Sequence, residues 1–409
     1  MLTTLLMTLS RLCRKYKKKK KGKEKMTKTK KRIITAVLSI VAVLIVVAVV
    51  LEILWFPVKG KENTEFWLSS DTYRLEDTVV IQKDPNKDFK ILNLTDIQYN
   101  DTLDIGKRKY TEETIRTLIE QENPDLITFT GDQVWAAFQK QSQKDLIKFI
   151  DSFGIPWAPV FGNHDGEGNA DKNWLADRYI ESKNCLFKKG PNNIGGVGNY
   201  IINIMEGDKI VQSLIMMDSG SWRGYDGIPE ERKMTEKAID PDTQEWIMND
   251  DGSVKIDTFG TGYEFLAESQ IAWYKWAIKG AEKVNGGEMP ESIAFFHIAI
   301  PEFYTAYIRW KESGYDTEMG FGEKRENVCC PSINSGFFDA VKELQSTKNI
   351  VVGHDHINNY SVMYEGVRLT YGLKTGDRCY ANEDLNGGTV LTITNNGVTT
   401  EHKYVTPSK

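Results

Sequence analysis

Phe161-Gly162-Asn163-His164-Asp165 closes a short apolar run, Trp157-Ala158-Pro159-Val160. Such a run stopped by Gly-Asn reads as a buried strand ending in a tight turn, with polar side chains at its C-terminal edge. Asn163 offers a neutral oxygen to a hard or borderline metal. His164 can give a proton or a hydrogen bond to a reacting oxygen, and Asp165 can hold the other ring nitrogen. Asn-His-Asp alone is equally a plain turn, so its weight comes from its company. The chain has five histidines, and His164, His297, His354 and His356 all lie in or beside strand-ending segments that carry Asp or Asn.

The surrounding pattern repeats that arrangement. Phe89 to Thr95 reads as a strand that delivers Asp96. A helix-period stretch from Tyr110 to Gln121 stops before Pro124, and Leu126 to Thr130 is a second strand delivering Gly131-Asp132. A helix near Lys144–Phe153 leads into the Asn163 turn. Strand alternating with helix predicts a parallel sheet with right-handed crossovers, whose ligands gather at the C-terminal strand ends. Two sheet strands, Tyr200–Met205 and Val211–Met217, follow. Residues 221 to 262 read as a long polar insertion or lid, and Glu268–Lys283 as a helix with Trp273 and Trp276 toward the core. Ile293–Phe296 then delivers His297, and Ile350–Val352 delivers Gly353-His354-Asp355-His356. Val367–Tyr371, Thr389–Thr394 and Thr400–Val405 read as antiparallel strands completing a second sheet.

Collected in order, the candidates are Asp96-x-Gln98, Gly131-Asp132, Asn163-His164-Asp165, His297, and His354-x-His356. Two divalent ions roughly 3.5–4 Å apart need a bridging carboxylate and several N or O ligands on each side. Mixed oxygen and imidazole ligands suit manganese, iron or zinc better than calcium. His354 and His356 reach one site only if the backbone turns between them, which Gly353 permits.

This order and spacing resembles the calcineurin-like metallophosphoesterases, whose pattern is D-x-H, GD, GNH, a lone His, then GHxH. Flanking stretches such as Thr130-Gly131-Asp132-Gln133, Asp218-Ser219-Gly220 and Phe296-His297-Ile298-Ala299-Ile300-Pro301-Glu302-Phe303 resemble most the branch of small plant purple acid phosphatases and a fungal cell-cycle phosphatase. The resemblance covers roughly residues 88 to 380. It implies that Asp96, Asp132 and His356 hold a first metal, with Asp132 bridging, and that Asn163, His297 and His354 hold a second. It also implies that His164 stabilises the phosphoryl transition state or protonates the leaving group while a bridging hydroxide attacks phosphorus. Two positions depart from the pattern. Gln98 stands where most of the superfamily has His, leaving a weaker carboxamide oxygen as ligand. Trp135 stands where purple acid phosphatases have a ferric-ion tyrosine, which argues against that chromophore.

The N-terminal part has another character. Residues 1 to 32 hold 14 Lys or Arg against one acid, Glu24, and residues 33 to 56 are almost wholly apolar. These features predict a basic cytoplasmic tail followed by one uncleaved transmembrane helix, with a juxtamembrane spacer over 57–87 and an extracytoplasmic phosphoesterase domain over 88–409. The remainder after residue 32 carries 38 basic and 56 acidic residues, a net charge of −18. That balance argues against nucleic acid as a partner. The five cysteines are too irregular for a disulfide scaffold or a CxxC zinc site.

The expected fold is α/β, two mixed sheets in a central sandwich flanked by helices. The expected function is hydrolysis of a phosphate ester, monoester or diester, by a membrane-anchored enzyme with two divalent metals, manganese first and iron or zinc as alternatives. His164 and Asp165 are its catalytic pair, and Asp96, Gln98, Asp132, Asn163, His297, His354 and His356 its metal ligands. A catalytically weak surface protein that keeps the fold for metal and ligand binding is the alternative, sustained by Gln98.

Overall fold

Continuous apolar runs make the strands at the centre, because strands covered on both faces have no solvent side to mark with polar residues. A computed structural model describes residues 61–405, apart from 100–104, 137, 224–233, 241, 242, 244 and 260–261. In it β2 (Phe89–Leu94), β3 (Leu126–Thr130) and β4 (Trp157–Val160) run parallel. The strands β14 (Gly387–Thr394) and β15 (Gly397–Tyr404) add antiparallel to β2, giving a five-stranded mixed sheet in the order β15-β14-β2-β3-β4. Lys403 and Glu401, paired at 2.8 Å, lie on the outer strand β15. Charge there guards an edge against pairing with other chains.

The larger sheet has eight strands. Its members are β1 (Val79–Gln82), β5 (Tyr200–Glu206), β6 (Lys209–Met216), β9 (Glu291–Phe295), β10 (Gly320–Phe321), β11 (Thr347–Val352), β12 (Ser361–Tyr364) and β13 (Val367–Tyr371). They are ordered β1-β5-β6-β9-β11-β13-β12-β10, with β6, β9, β11 and β13 mutually parallel. Period-two alternation decides which face each residue covers. Ile202, Leu214, Met216, Ile293, Phe295 and Val351 pack with the five-stranded sheet, whereas Ile201, Ile215, Ala294, Phe296, Ile350 and Val352 belong to a second cluster. The two sheets therefore share one core, as a sandwich must.

Helices cover the outer faces. The first, α1 (Thr64–Ser69), is capped by Asn63, which accepts from Phe66 N at 3.0 Å. The helices α2 (Ile105–Glu122), α3 (Gln139–Asp151) and α4 (Lys172–Glu181) bury Ile115, Leu118, Leu146, Ile150, Leu175 and Tyr179 with the five-stranded sheet. Asp171 caps α4 through Trp174 N at 2.8 Å, a contact worth about 1 kcal/mol. On the eight-stranded side, α5 (Glu268–Val284), α6 (Glu302–Glu312) and α7 (Phe337–Leu344) bury Trp273, Ile278, Phe303, Tyr307 and Phe337.

Several expectations are corrected. Val367–Tyr371 does not join the last two strands. It pairs parallel with β11 in the other sheet, because Gly372 carries the chain across to the five-stranded sheet only afterwards. The polar stretch 221–262 contains an antiparallel pair, β7 (Met234–Lys237) and β8 (Ile256–Phe259), rather than loop alone. The four described cysteines, Cys185, Cys329, Cys330 and Cys379, are free. The single transmembrane helix, and with it the membrane-anchored, single-pass localisation, is withdrawn. Among the described residues no helix is long and apolar enough to cross a membrane, and residues 33–56 lie outside those described.

Candidate metal centre

All the strands that deliver predicted site residues end at one edge. Asp96 follows β2, Asp132 follows β3, Asn163 and His164 follow β4, His297 follows β9, and His354 and His356 follow β11. The backbone there is strained. Asp96, Gln98, Asp132 and His354 have φ of 48°, 46°, 51° and 78°, values that non-glycine residues seldom adopt. Hydrogen bonds hold them: Asp96 N donates to Gly131 O at 3.2 Å and Gln98 N to Asp132 O at 2.9 Å.

Gly353 serves closeness, not its own torsion. A Cβ there would lie 2.0 Å from Thr95 Oγ1 and 2.6 Å from Asp96 Oδ2, and His354 takes the left-handed turn itself. Gly162 is equally confined, since its Cβ would meet Asp132 Oδ1 at 2.2 Å. Both glycines let neighbouring strands bring their carboxylates together.

Asp96, Asp132 and His356 form a buried group whose ligand atoms all lie within 4.8 Å of one another. His356 Nδ1 donates to Tyr380 O at 2.9 Å, and its ring stacks on Tyr380 with centroids 4.3 Å apart. That bond sets the tautomer and leaves Nε2 as a lone pair, 3.3 Å from Asp96 Oδ1. Burial works to raise the Asp96 carboxyl, but His356, His297 and Lys374 outweigh it and hold it well below the usual carboxylate range.

A second group adjoins it. His297 Nδ1 donates to Thr130 O at 2.7 Å, so its Nε2 lone pair faces Asn163 Oδ1 at 3.0 Å and Asp132 Oδ1 at 3.4 Å. His354 stands 5.0 Å from the His297 ring and 4.5 Å from the Tyr263 ring. Burial first, and His297 second, push its pKa well below that of free imidazole. Asp132 is thus within reach of both groups.

These donors fit divalent metal. His354 Nε2 and Asp96 Oδ1 are buried and have no hydrogen-bond partner among the described residues. Lone pairs of imidazole and carboxylate face one another with no proton between them, which costs free energy unless a cation joins them. Imidazole with carboxylate and amide oxygen suits manganese, iron or zinc.

Two predicted residues sit otherwise than expected. Gln98 does reach the centre, but Lys374 Nζ donates to its Oε1 at 3.0 Å, and its Nε2 faces His356 Nε2 at 3.2 Å. The amide oxygen is already taken, so Gln98 is not placed as a ligand. Asp165 does not hold His164. It accepts from Gly162 N at 2.8 Å and Val134 N at 3.2 Å, pinning the turn, and burial with Asp132 nearby pushes its pKa up to about 6. Glu167 has the role expected of Asp165, since His164 Nδ1 donates to Glu167 Oε2 at 2.6 Å. Burial alone would lower the His164 pKa, yet Asp132 and Glu167 together raise it. His164 is half-exposed, its Nε2 lies 3.9 Å from Asp132 Oδ2, and its ring sits 5.2 Å from that of Trp135. Glu167, three residues after His164 in a turn, is legible as a local partner in hindsight. Lys374 carries no such signal, being 276 residues from Gln98.

A family model described as Calcineurin-like phosphoesterase matches residues 89–274. "Probable inactive purple acid phosphatase 14" of Arabidopsis thaliana is 26% identical over 329 residues, covering 71% of this chain and 71% of its own. "Phosphatase DCR2" of Saccharomyces cerevisiae is 28% identical over 262 residues, 61% of this chain and 39% of that protein. Among solved structures, a dimetal phosphatase from Danio rerio aligns with 78% of this chain and 99% of its own at 11% identity, with a TM-score of 0.44. The matched segment contains the strand ends that carry Asp96, Asp132, Asn163 and His164, and over that segment the chain is similar to the calcineurin-like phosphoesterases.

Proposed function

We propose that this protein hydrolyses a phosphate ester at a centre of two divalent metal ions. The observation that carries the reading is the buried convergence of Asp96, Asp132 and His356 beside the unpartnered His354 Nε2. In this reading Asp96, Asp132 and His356 hold one ion, and Asn163, His297 and His354 the other, with Asp132 common to both. Such ions neutralise phosphoryl oxygens and lower the pKa of a water. The chain's own groups do the rest. Thr130 and Tyr380 carbonyls keep His297 and His356 in the ligating tautomer. His164, fixed by Glu167 and open to solvent, gives its proton to the departing oxygen or a hydrogen bond to the phosphoryl group.

The test is release of nitrophenol from mono- and bis-nitrophenyl phosphate, with manganese, iron or zinc added to chelated protein. Preference between the two substrates assigns monoester or diester. His164→Ala should keep its metal content while the rate falls by roughly 10²–10⁴. A wild-type protein that binds metal but releases no nitrophenol from either substrate would favour the second reading, a metal-binding protein of weak catalysis. Gln98, turned nitrogen-first toward His356, supports that reading, as does the word "inactive" in the name of the Arabidopsis relative.

A further inference from the structure

Lys374 lies between the two sheets. Its backbone bridges Thr95, and its carbonyl accepts from Gly387 N at 3.0 Å. The side chain is buried, and Nζ donates to Asp96 O at 2.9 Å and to Gln98 Oε1 at 3.0 Å. An ammonium has donors only, so it can meet the oxygen of the amide and not the nitrogen. The orientation of Gln98 is therefore fixed from behind. Its NH2 points at His356 Nε2, 3.2 Å away, and donates to the lone pair that a metal would need. His356 Nδ1 is already committed to Tyr380 O. A chain of hydrogen bonds, Lys374 to Gln98 to His356 to Tyr380, thus occupies both ring nitrogens of the imidazole in one half of the centre, while Asp96 Oδ1 there has no hydrogen-bond partner among the described residues.

In the other half no amide NH2 of the described residues is aimed at an imidazole lone pair. His297 Nε2 and Asn163 Oδ1 face each other as acceptors, and His354 Nε2 has no hydrogen-bond partner among the described residues. The Lys374 ammonium next to Asp96 adds to the asymmetry, because its positive charge repels a dication. We propose that Lys374, acting through Gln98, makes the two metal half-sites unequal. The half-site of Asp132, Asn163, His297 and His354 fills first, and that of Asp96, Asp132 and His356 binds its ion at least about tenfold more weakly. This deepens the two-metal reading of the function and rests on it.

The experiment titrates Mn2+ into metal-free protein by calorimetry, with electron paramagnetic resonance recording isolated against exchange-coupled Mn2+. Wild type should show one tight step with an isolated-ion spectrum, then a weaker step that brings coupling. Lys374→Met frees the amide to turn its oxygen toward the centre, and the weak step should tighten by roughly 10–100-fold, the usual reach of groups behind metal ligands. Lys374→Arg keeps charge and donors and should leave the two steps as they are. If Lys374→Met does not fold, Gln98→Leu decides: removing the blocking NH2 should tighten the weak step, whereas loss of a true ligand would weaken it. Two equal steps in wild type, or a weak step unmoved by Lys374→Met, overturn the inference while leaving the two-metal reading intact. No Mn2+ uptake by wild type overturns both.

Discussion

Gly353→Ala should be among the costliest single-methyl additions in the protein. The new Cβ would stand 2.0 Å from Thr95 Oγ1 and 2.6 Å from Asp96 Oδ2, with Thr130 O at 3.0 Å. Ordinary carbon–oxygen contacts are more than an ångström longer, so the loop or Thr95 must move. Overpacking of this kind costs about 1–3 kcal/mol. Moving Thr95 Oγ1 also breaks its 2.8 Å bond to the Asp96 carboxylate, worth about 1.5–3 kcal/mol when the acceptor is charged. The two terms together make about 2.5–6 kcal/mol. Thr95→Ala alone loses only the second term. In the double variant the closest contact is gone, so its loss should fall short of the sum of the singles by at least about 1 kcal/mol. Gly366→Ala is the control: its φ of 84° strains an alanine but no atom lies within 4 Å, for a cost of about 1–2 kcal/mol. Urea unfolding of metal-free protein, followed by tryptophan fluorescence, measures all four. Additivity of Gly353→Ala and Thr95→Ala within about 0.5 kcal/mol, or a Gly353→Ala no worse than Gly366→Ala, would refute the steric argument.

Asp132→Asn should lose both metals together, because Asp132 is the carboxylate within reach of both ligand groups; elemental analysis that still finds two metals per chain excludes that role. Glu167→Ala should slow hydrolysis without lowering metal content, and by less than His164→Ala, since it removes only what steadies the imidazole; steady-state rates beside metal content test this. His402 is buried, with Nε2 donating to Asn359 O at 2.5 Å, and burial pushes its pKa down to about 4. A depressed imidazole pKa means that the unfolded chain binds the proton first. Stability is fully present above about pH 6.5 and is lost as pH falls toward 4, by up to about 3 kcal/mol from this group. His402→Gln should therefore narrow its stability gap to wild type between pH 7 and pH 4.5, read from urea midpoints; an unchanged gap removes His402 as the cause.

The local sequence was enough for the elements that carry the site. Leu126–Thr130 and Trp157–Val160 are strands with the expected bounds, because an unbroken apolar run ended by Gly-Asp or Gly-Asn has no other way to bury itself. The same turns told where Asp96, Asp132, Asn163, His297, His354 and His356 would emerge, since the C-terminal ends of parallel strands share one edge. What those side chains face was a different matter. Helices α4, α6 and α7 were not among the expected elements, being short, and β13 entered the sheet opposite to the one expected. Asp165 and Glu167 exchange roles because backbone N–H groups of the turn claim the nearer carboxylate. Gln98 reads as a weak ligand in sequence, but tertiary structure sets Lys374 against its oxygen. No spacing rule joins two residues 276 positions apart in segments that lie beyond the strand ends. Chain pattern decides which edge a residue reaches, and only packing decides which atom of it points inward.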